Sequence, residues 1–381
     1  MAKDIPAALN GFAPSVPHSY VGAESSNRDF ETTHLAPPWR YPRSFPRMAE
    51  IPVISNHILH GLPAFLRHEL GQRALLQANH AAGFDFELVE GRNCFIPHGA
   101  VLAFVDAAAR AAGEPRLGIL MAPVMNVANY GTFGRYILGA ETLGQSLKHA
   151  ISALRYHSTD DRMSVAVVGD EARFSYGFAL SGRVGYDIIA SAAAGVLLSV
   201  FRAYLPVDWH PLRVELDIAK PGQPALFEDV FQCPVIFNAP AVTIVIGRRL
   251  LSVASRPTSR PSVTIEDVAR DRGTGAPRDL LDIVVEQIRA QVLTGSVSIE
   301  SAAQSMDTSV RTLQRELNRA GTDFRGLANA ARIQRATELL RHTDGSVTRV
   351  STELGYSSPA NFARAFRKAT GRAPREFRWE T

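Results

Sequence analysis

Cysteine is nearly absent: Cys94 and Cys233 are the only two in 381 residues. That excludes a disulfide framework, a zinc ribbon and the four-cysteine zinc site of a phosphotriester-repair domain. It fits a reducing cytoplasm, the expected location. Lysine is also scarce, with only Lys3, Lys148, Lys220 and Lys368. None follows a strand as a phosphoacceptor receiver domain requires. None follows Gly131–Gly134 either, so that short segment is no phosphate loop. Cys94 precedes Phe95-Ile96-Pro97, a poor helix start, which argues against a strand-to-helix nucleophile elbow. His57, His60 and His68 are interrupted by Gly61 and Pro63, so no metal site is expected, and no residue set points to a cofactor. The longest apolar run, near Ile188–Phe201, is short of a membrane span and ends at Arg202; no membrane partner is expected. The N-terminus shows no basic-then-apolar leader pattern.

What is present suits two or three globular domains. Residues 1–49 are rich in Pro and Gly, include Pro37-Pro38 and lack periodicity, so an irregular segment is expected there. Residues 50–250 mix helix and strand patterns. Leu62–Gln77, Ala100–Ala112, Thr142–Tyr156 and Tyr186–Leu205 read as helices, with Gly113 stopping the second. Met163–Val168 and Ala172–Leu180 alternate as strands around Gly169-Asp170, and Leu212–Ile218 and Ala241–Ile246 are further strands. Residues 251–277 form a linker, its Arg256–Pro277 stretch rich in Pro, Gly and Ser, and 278–381 form a last domain opening with an amphipathic helix over Asp279–Leu293.

That last domain contains one pattern twice. Ile299–Leu317 and Val347–Phe366 align with an offset of 48 through their first halves and 49 through their second. Each copy reads as two helices around a tight turn, the second helix being the one that enters a DNA groove in this motif. Asp307 and Gly355 occupy the turns, where a left-handed backbone is needed. Ser309 takes the N-cap position of the first second-helix. Leu313 and Leu317 face inward, leaving Arg311, Gln314 and Arg315 outside; Arg pairs with guanine and Gln with adenine. In the second copy Pro359 suits the first helical turn, Phe362 and Phe366 form the buried pair, and Asn361, Arg364, Arg367 and Lys368 are exposed. Ser357, Ser358 and Ala360 are too small to read bases well, so phosphate contact is the expected main task there. Asp323–Leu340, between the copies, has helical spacing and makes a rod on the order of 27 Å. Residues 297–381 carry fourteen Arg or Lys against nine Asp or Glu, a net of +5, while the whole chain is +4. The basic excess therefore lies with the repeat, as contact with phosphates requires.

The run Gly355-Tyr356-Ser357-Ser358-Pro359-Ala360-Asn361-Phe362-Ala363-Arg364-Ala365-Phe366-Arg367-Lys368, followed by Gly371 and Pro374-Arg375-Glu376-Phe377-Arg378, resembles the signature of the AraC/XylS family of transcription regulators. Asp307 departs from the usual turn Gly, and Ser351 from the usual Ala at the helix crossing. The resemblance implies an all-α DNA-binding domain with two helix-turn-helix units joined by a long helix, binding double-stranded promoter DNA and usually activating RNA polymerase. By position, its DNA contacts would be Ser309, Arg311, Thr312, Gln314 and Arg315 in the first unit. Ser358, Pro359, Asn361, Arg364, Arg367 and Lys368 would serve in the second. Residues 50–250 resemble the arabinose-binding-like sensor domain of one branch of the family, through Leu117-Gly118, the Gly131–Leu154 segment with Thr142-Leu143-Gly144, and the paired strands after it. That resemblance implies an α+β effector and dimerisation domain and a homodimer.

An effector site is expected among Tyr130, Phe133, Tyr136, Tyr156, His157, Phe174, Tyr176 and Phe178, an apolar set with a few polar tips. Arg135 and Arg155 are placed to meet a carboxylate. Two other readings stand beside this one: an enzyme that kept a DNA-binding tail, for which no catalytic constellation is visible, and an architectural protein without effector.

Overall fold

The alternation of Phe174 and Tyr176 with polar residues becomes a central strand in the computed structural model, which describes residues 51–90, 93–255, 263–273, 275–342 and 346–377. The expectations for residues 1–49 and for part of the 251–277 linker lie outside the described residues. In chain order the front region contains β1 (Val53–Ser55), α1 (Leu62–Leu70), α2 (Gln72–Ala82), α3 (Phe86–Val89), β2 (Phe95–Pro97) and α4 (His98–Ala112). It continues with α5 (Leu117–Met121), α6 (Gly131–Leu138), α7 (Leu143–Ala153), β3 (Arg162–Val168), β4 (Glu171–Gly177) and α8 (Tyr186–Tyr204). Strand β5 (Arg213–Glu215), α9 (Pro224–Phe231), β6 (Val235–Ile236) and β7 (Val242–Gly247) close it. Then follow α10 (Ile265–Arg272), α11 (Leu280–Leu293), α12 (Ile299–Ser305), α13 (Val310–Arg319), α14 (Phe324–His342), α15 (Val347–Glu353), α16 (Pro359–Thr370) and α17 (Pro374–Phe377).

The five-stranded sheet has the order β3-β4-β7-β5-β6, antiparallel except for the β5–β6 pair. Its β4 buries Ala172, Phe174 and Tyr176 on one face, the consequence of the two-residue period of a strand. Phe174 meets Phe201 of α8 edge-on at 6.2 Å between ring centres. Helix α8 is long and apolar enough to cross a membrane, but most of it is buried in this core. It packs very closely on α5: a side chain at Gly118 would place Cβ 2.4 Å from the Ile188 carbonyl oxygen, and one at Gly195 2.0 Å from that of Ala122. Only glycine permits these approaches.

Three expectations are corrected. The helix expected over Leu62–Gln77 is two helices, because Gly71 adopts φ +87° and ends α1 before α2 begins. The strand expected over Leu212–Ile218 shrinks to Arg213–Glu215, the length that pairs with β7. The linker contains a helix, α10, started by a reciprocal cap between Thr264 and Asp267.

Strands β1 and β2 form a separate antiparallel ribbon. Adjacent residues on a strand face opposite ways, and here each face enters a different core. Ile54 and Ile96 join the front-region core with Leu66, Phe86 and Phe104. Val53 and Phe95 join the C-terminal core with Ile288, Leu313, Phe362 and Phe366. The C-terminal helices surround that second core, α11 against α14 and α16 against both α14 and α15. Helix α14 spans 19 residues, roughly 28 Å at 1.5 Å each.

Candidate DNA-reading face and ligand cavity

Both tight turns carry the left-handed backbone expected of them, Asp307 at φ +51° and Gly355 at φ +71°. The helix after each turn is capped by a serine. Ser309 Oγ accepts from the Thr312 N–H at 3.1 Å, and Ser358 Oγ accepts from the Asn361 N–H at 3.2 Å. Such caps satisfy orphan backbone donors and stabilise a helix start by about 1 kcal/mol. Leu313 and Leu317 are buried on α13, as are Phe362 and Phe366 on α16. Spacing of three to four residues then forces the intervening side chains outward. Arg311, Gln314 and Arg315 are exposed on α13, and Arg364, Arg367 and Lys368 are exposed on α16.

The exposed set divides by what each side chain already does. Arg315 Nε donates to Glu316 at 3.1 Å, a pair that also takes Arg319 at 2.7 Å. Arg311, Gln314, Arg364, Arg367 and Lys368 make no side-chain hydrogen bond or ion pair with another described residue. Thr312 shares its hydroxyl with Ser309 at 2.8 Å, and Asn361 donates its side-chain amide to Ser357 at 2.9 Å. Ser309, Thr312, Ser358 and Asn361 thus shape the helix starts, while the arginines, Lys368 and Gln314 are the groups presented outward. Pro359 sits at the first helical position of α16.

The front region holds a partly open cavity of about 90 Å³ between α8, α6, the ribbon and the inner face of β4. Tyr130, Phe133, His157, Phe174, Tyr176 and Phe178 line it together, joined by Met121, Met125 and Met163. Tyr136, Arg135, Arg155 and Tyr156 do not line it, which corrects the expectation of a carboxylate clamp in this aromatic set. Tyr136 stacks on His149 at 4.2 Å instead. Arg155 is exposed, lies over the Tyr156 ring and donates to its hydroxyl at 2.8 Å. Arg135 is exposed and donates to Thr132 at 3.3 Å. Each arginine directly precedes a tyrosine, Arg135 before Tyr136 and Arg155 before Tyr156, and successive helical positions point to different faces, here leaving the arginine exposed.

One wall of the cavity rests on a buried polar cluster that the sequence did not disclose. Asp161 accepts from Tyr176 and Ser158 hydroxyls, each at 2.6 Å, from the Ala179 N–H at 2.8 Å and from His98 Nε2 at 3.1 Å. Burial pushes the Asp161 carboxyl up, but His98, Ser158 and Tyr176 together hold it below its ordinary value. Ser158, His98 and Asp161 are residue types of a catalytic triad, yet the serine donates straight to the carboxylate and all three are buried. Burial lowers the His157 pKa to about 3, with Arg272 adding to the effect, so its ring is neutral. Its Nδ1 is buried without a hydrogen-bond partner.

A third feature joins the two regions. Arg272 at the end of α10 is buried, donates to His57 Nδ1 at 2.7 Å and to Asn93 at 2.6 Å, and lies 5.7 Å from the Phe95 ring centre. Gln304 on α12 donates to the carbonyls of His80 and Ala81 at 2.9 and 3.0 Å. Arg183 pairs with Asp307 in the first turn. These partners are separated by 124 to 224 residues, so no local pattern marks them.

A helix-turn-helix region presenting arginines outward, attached to an α+β region with an internal cavity, defines a DNA-binding transcription regulator with a ligand-binding type of front domain. The model of the arabinose-binding N-terminal domain of AraC transcription regulators matches residues 73–254, and a helix-turn-helix domain model matches 302–379. The chain is similar to the ornithine utilization regulator of Pseudomonas aeruginosa, 24% identical over 309 residues that cover 77% of this chain and 89% of that one. It is also similar to the transcriptional activator RhaS of Escherichia fergusonii, 37% identical over 84 residues, or 22% of this chain and 30% of RhaS. Among solved structures, the regulator CdpR of Pseudomonas aeruginosa aligns with 81% of this chain and 98% of its own, at 20% identity and a TM-score of 0.35. The chain belongs to the AraC family of transcription regulators.

Proposed function

We propose that the chain is a sequence-specific activator of transcription whose DNA binding is set by a small molecule held in the front region. Residues 50–250 form the effector and dimerisation domain, 251–277 the linker, and 278–381 the DNA-binding domain. The pairs α12–α13 and α15–α16 act as two helix-turn-helix units, and α14 spaces them toward successive major grooves, roughly 34 Å apart. Arg311, Gln314 and Arg315 read base edges. Arg364, Arg367 and Lys368 hold phosphates, with Ser309, Thr312, Ser358, Pro359 and Asn361 shaping the helix starts that meet the backbone. The chain acts as a cytoplasmic homodimer with RNA polymerase as partner. Activation is supported by RhaS, which is named an activator.

The observation that carries effector control is the β1–β2 ribbon. Ile54 lines the cavity, while Val53 beside it packs in the C-terminal core. A ligand that favours one position of Ile54 therefore favours one position of Val53, which is the differential affinity that a population shift requires. The test is selection of random duplexes by the full chain, followed by titration of the selected site with the wild type and Arg315→Ala. A consensus in two half-elements, read less strictly by the variant at one base, supports the reading. An unenriched pool overturns it.

A further inference from the structure

We infer that the front-region cavity takes a compact, uncharged and largely apolar ligand bearing one neutral polar group, and that it rejects sugars, carboxylates and ammonium compounds. This rests on reading the cavity as the effector site and names the chemistry of what enters it. The family model that matches this region is described as arabinose-binding, so the composition of the wall decides against the description.

The wall is aliphatic, aromatic or thioether almost throughout: Ile54, Ile58, Val127, Ile137, Val196 and Leu197 stand beside the three methionines and the aromatic rings. Its polar atoms are accounted for. The Tyr176 hydroxyl donates to Asp161. Asp161 itself is saturated by four donors and offers no free acceptor site toward a cation. The two arginines nearest in sequence, Arg135 and Arg155, are on the outer surface. What remains is His157, neutral and with an unpartnered Nδ1, and the Tyr130 hydroxyl. Tyr130 and His157 stack at 5.2 Å between ring centres, so these two side chains are neighbours in the wall. One neutral donor or acceptor can be met there. A pentose brings several hydroxyls, most of which would be buried without partners, and a carboxylate would meet no cation in the wall, since Arg272 behind His157 is outside the lining and already bonded to His57 and Asn93.

Size points the same way. An apolar cavity of about 150 Å³ stays dry and takes benzene, and this one is about 90 Å³. Met121, Met125 and Met163 supply the adjustable part of the wall, since an unbranched thioether repacks at little cost. At about 90 Å³ a single ring is the upper limit and enters as those methionines repack; an extended polar metabolite does not fit.

The matched probes are benzyl alcohol and benzoate, equal in size and different in charge, with L-arabinose as the polyhydroxyl probe. The full chain is labelled at its methionine methyl groups, and each probe is titrated in. Met306 lies in the C-terminal core and reports any displacement passed to it across the ribbon. Benzyl alcohol is expected to shift the methyls of Met121, Met125 and Met163 more strongly than that of Met306, and to bind at least about tenfold tighter than benzoate. Ala193→Phe, which fills the cavity, is expected to abolish those shifts; Val196→Phe is the second variant should the first fail to fold. Benzoate or arabinose moving the same three methyls at equal or lower concentration overturns the ligand class and leaves effector control standing. No probe moving them overturns the site altogether. Benzyl alcohol binding there with no change in affinity for the selected DNA upholds the ligand class and refutes effector control.

Discussion

The two helix pairs of the C-terminal region share a pattern but not a mechanical situation. The first pair is tied to the front region: Gln304 of α12 bonds to the end of α2, and Arg183 holds Asp307 in the turn. The second pair is held within its own domain. Arg335 of α14 reaches Glu353 of α15, and Gly355 lies so near Gly295 that a Cβ would come within 2.4 Å of its carbonyl. The sequence repeat therefore recurs as two similar helix pairs, and among the described residues it is the first that has side-chain bonds to the front region. Under the proposed function, the ligand would act first on the placement of α13 and leave α16 as the fixed anchor.

The strongest way to break that comparison is to remove the anchor. Phe362 is fully buried between Tyr356 and Phe366. Phe362→Ala is expected to cost about 3–5 kcal/mol of stability, measured by urea unfolding, and to abolish DNA binding. A loss under about 1 kcal/mol would mean that the second pair is not the rigid element. Next in size is Arg315→Ala, expected to weaken binding to the selected site by about 1–3 kcal/mol and to relax one base. Arg367→Ala should instead weaken all sequences alike and lower the salt slope by about 1. Titrations over a salt series separate the two; identical behaviour of both variants would erase the division between reading and anchoring.

Acid tests the joint between the regions. Burial first, and Arg272 second, lower the His57 pKa to about 4 from an ordinary 6.5. The folded state thus refuses a proton that the unfolded chain accepts. Its contribution is complete above pH 6.5 and is lost as pH falls toward 4. The ring faces His60 and Asp271 as well as Arg272, and Asp271 opposes the shift. Melting temperature is expected to drop on the order of 5 °C between pH 7.5 and 5, and less in a His57→Gln variant. An equal drop in the variant would assign the acid response elsewhere. The smallest effect is expected from Arg183→Ala. Both members of that pair are exposed, so stability should change by less than about 0.5 kcal/mol. DNA affinity should shift by no more than about threefold, read in the same titrations, and complete loss of binding would show the tether to be essential rather than directional.

Much of the C-terminal domain was legible because its determinants are local. The turn at Asp307-Thr308, the caps at Ser309 and Ser358 and the buried pairs Leu313/Leu317 and Phe362/Phe366 depend on neighbours within one or two helical turns. The front region was read less well. Of the expected aromatic set, Tyr130, Phe133, Phe174 and Tyr176 share one cavity wall, while Tyr136, Tyr156 and the arginines beside them lie away from it. Sequence proximity to an aromatic residue says nothing of which helical face a side chain occupies. The short strands β1 and β2, three residues each, carry no period long enough to detect.

Sequence alone determined the class of the last domain, its outward arginines and the apolar character of the front core, since periodicity and capping act over a few residues. Only the tertiary structure decided that Ile54 and Val53 serve two cores, that Asp161 spends its charge on four donors, and that Arg272 closes on His57. Those outcomes join residues many positions apart, and burial rather than local preference selects them.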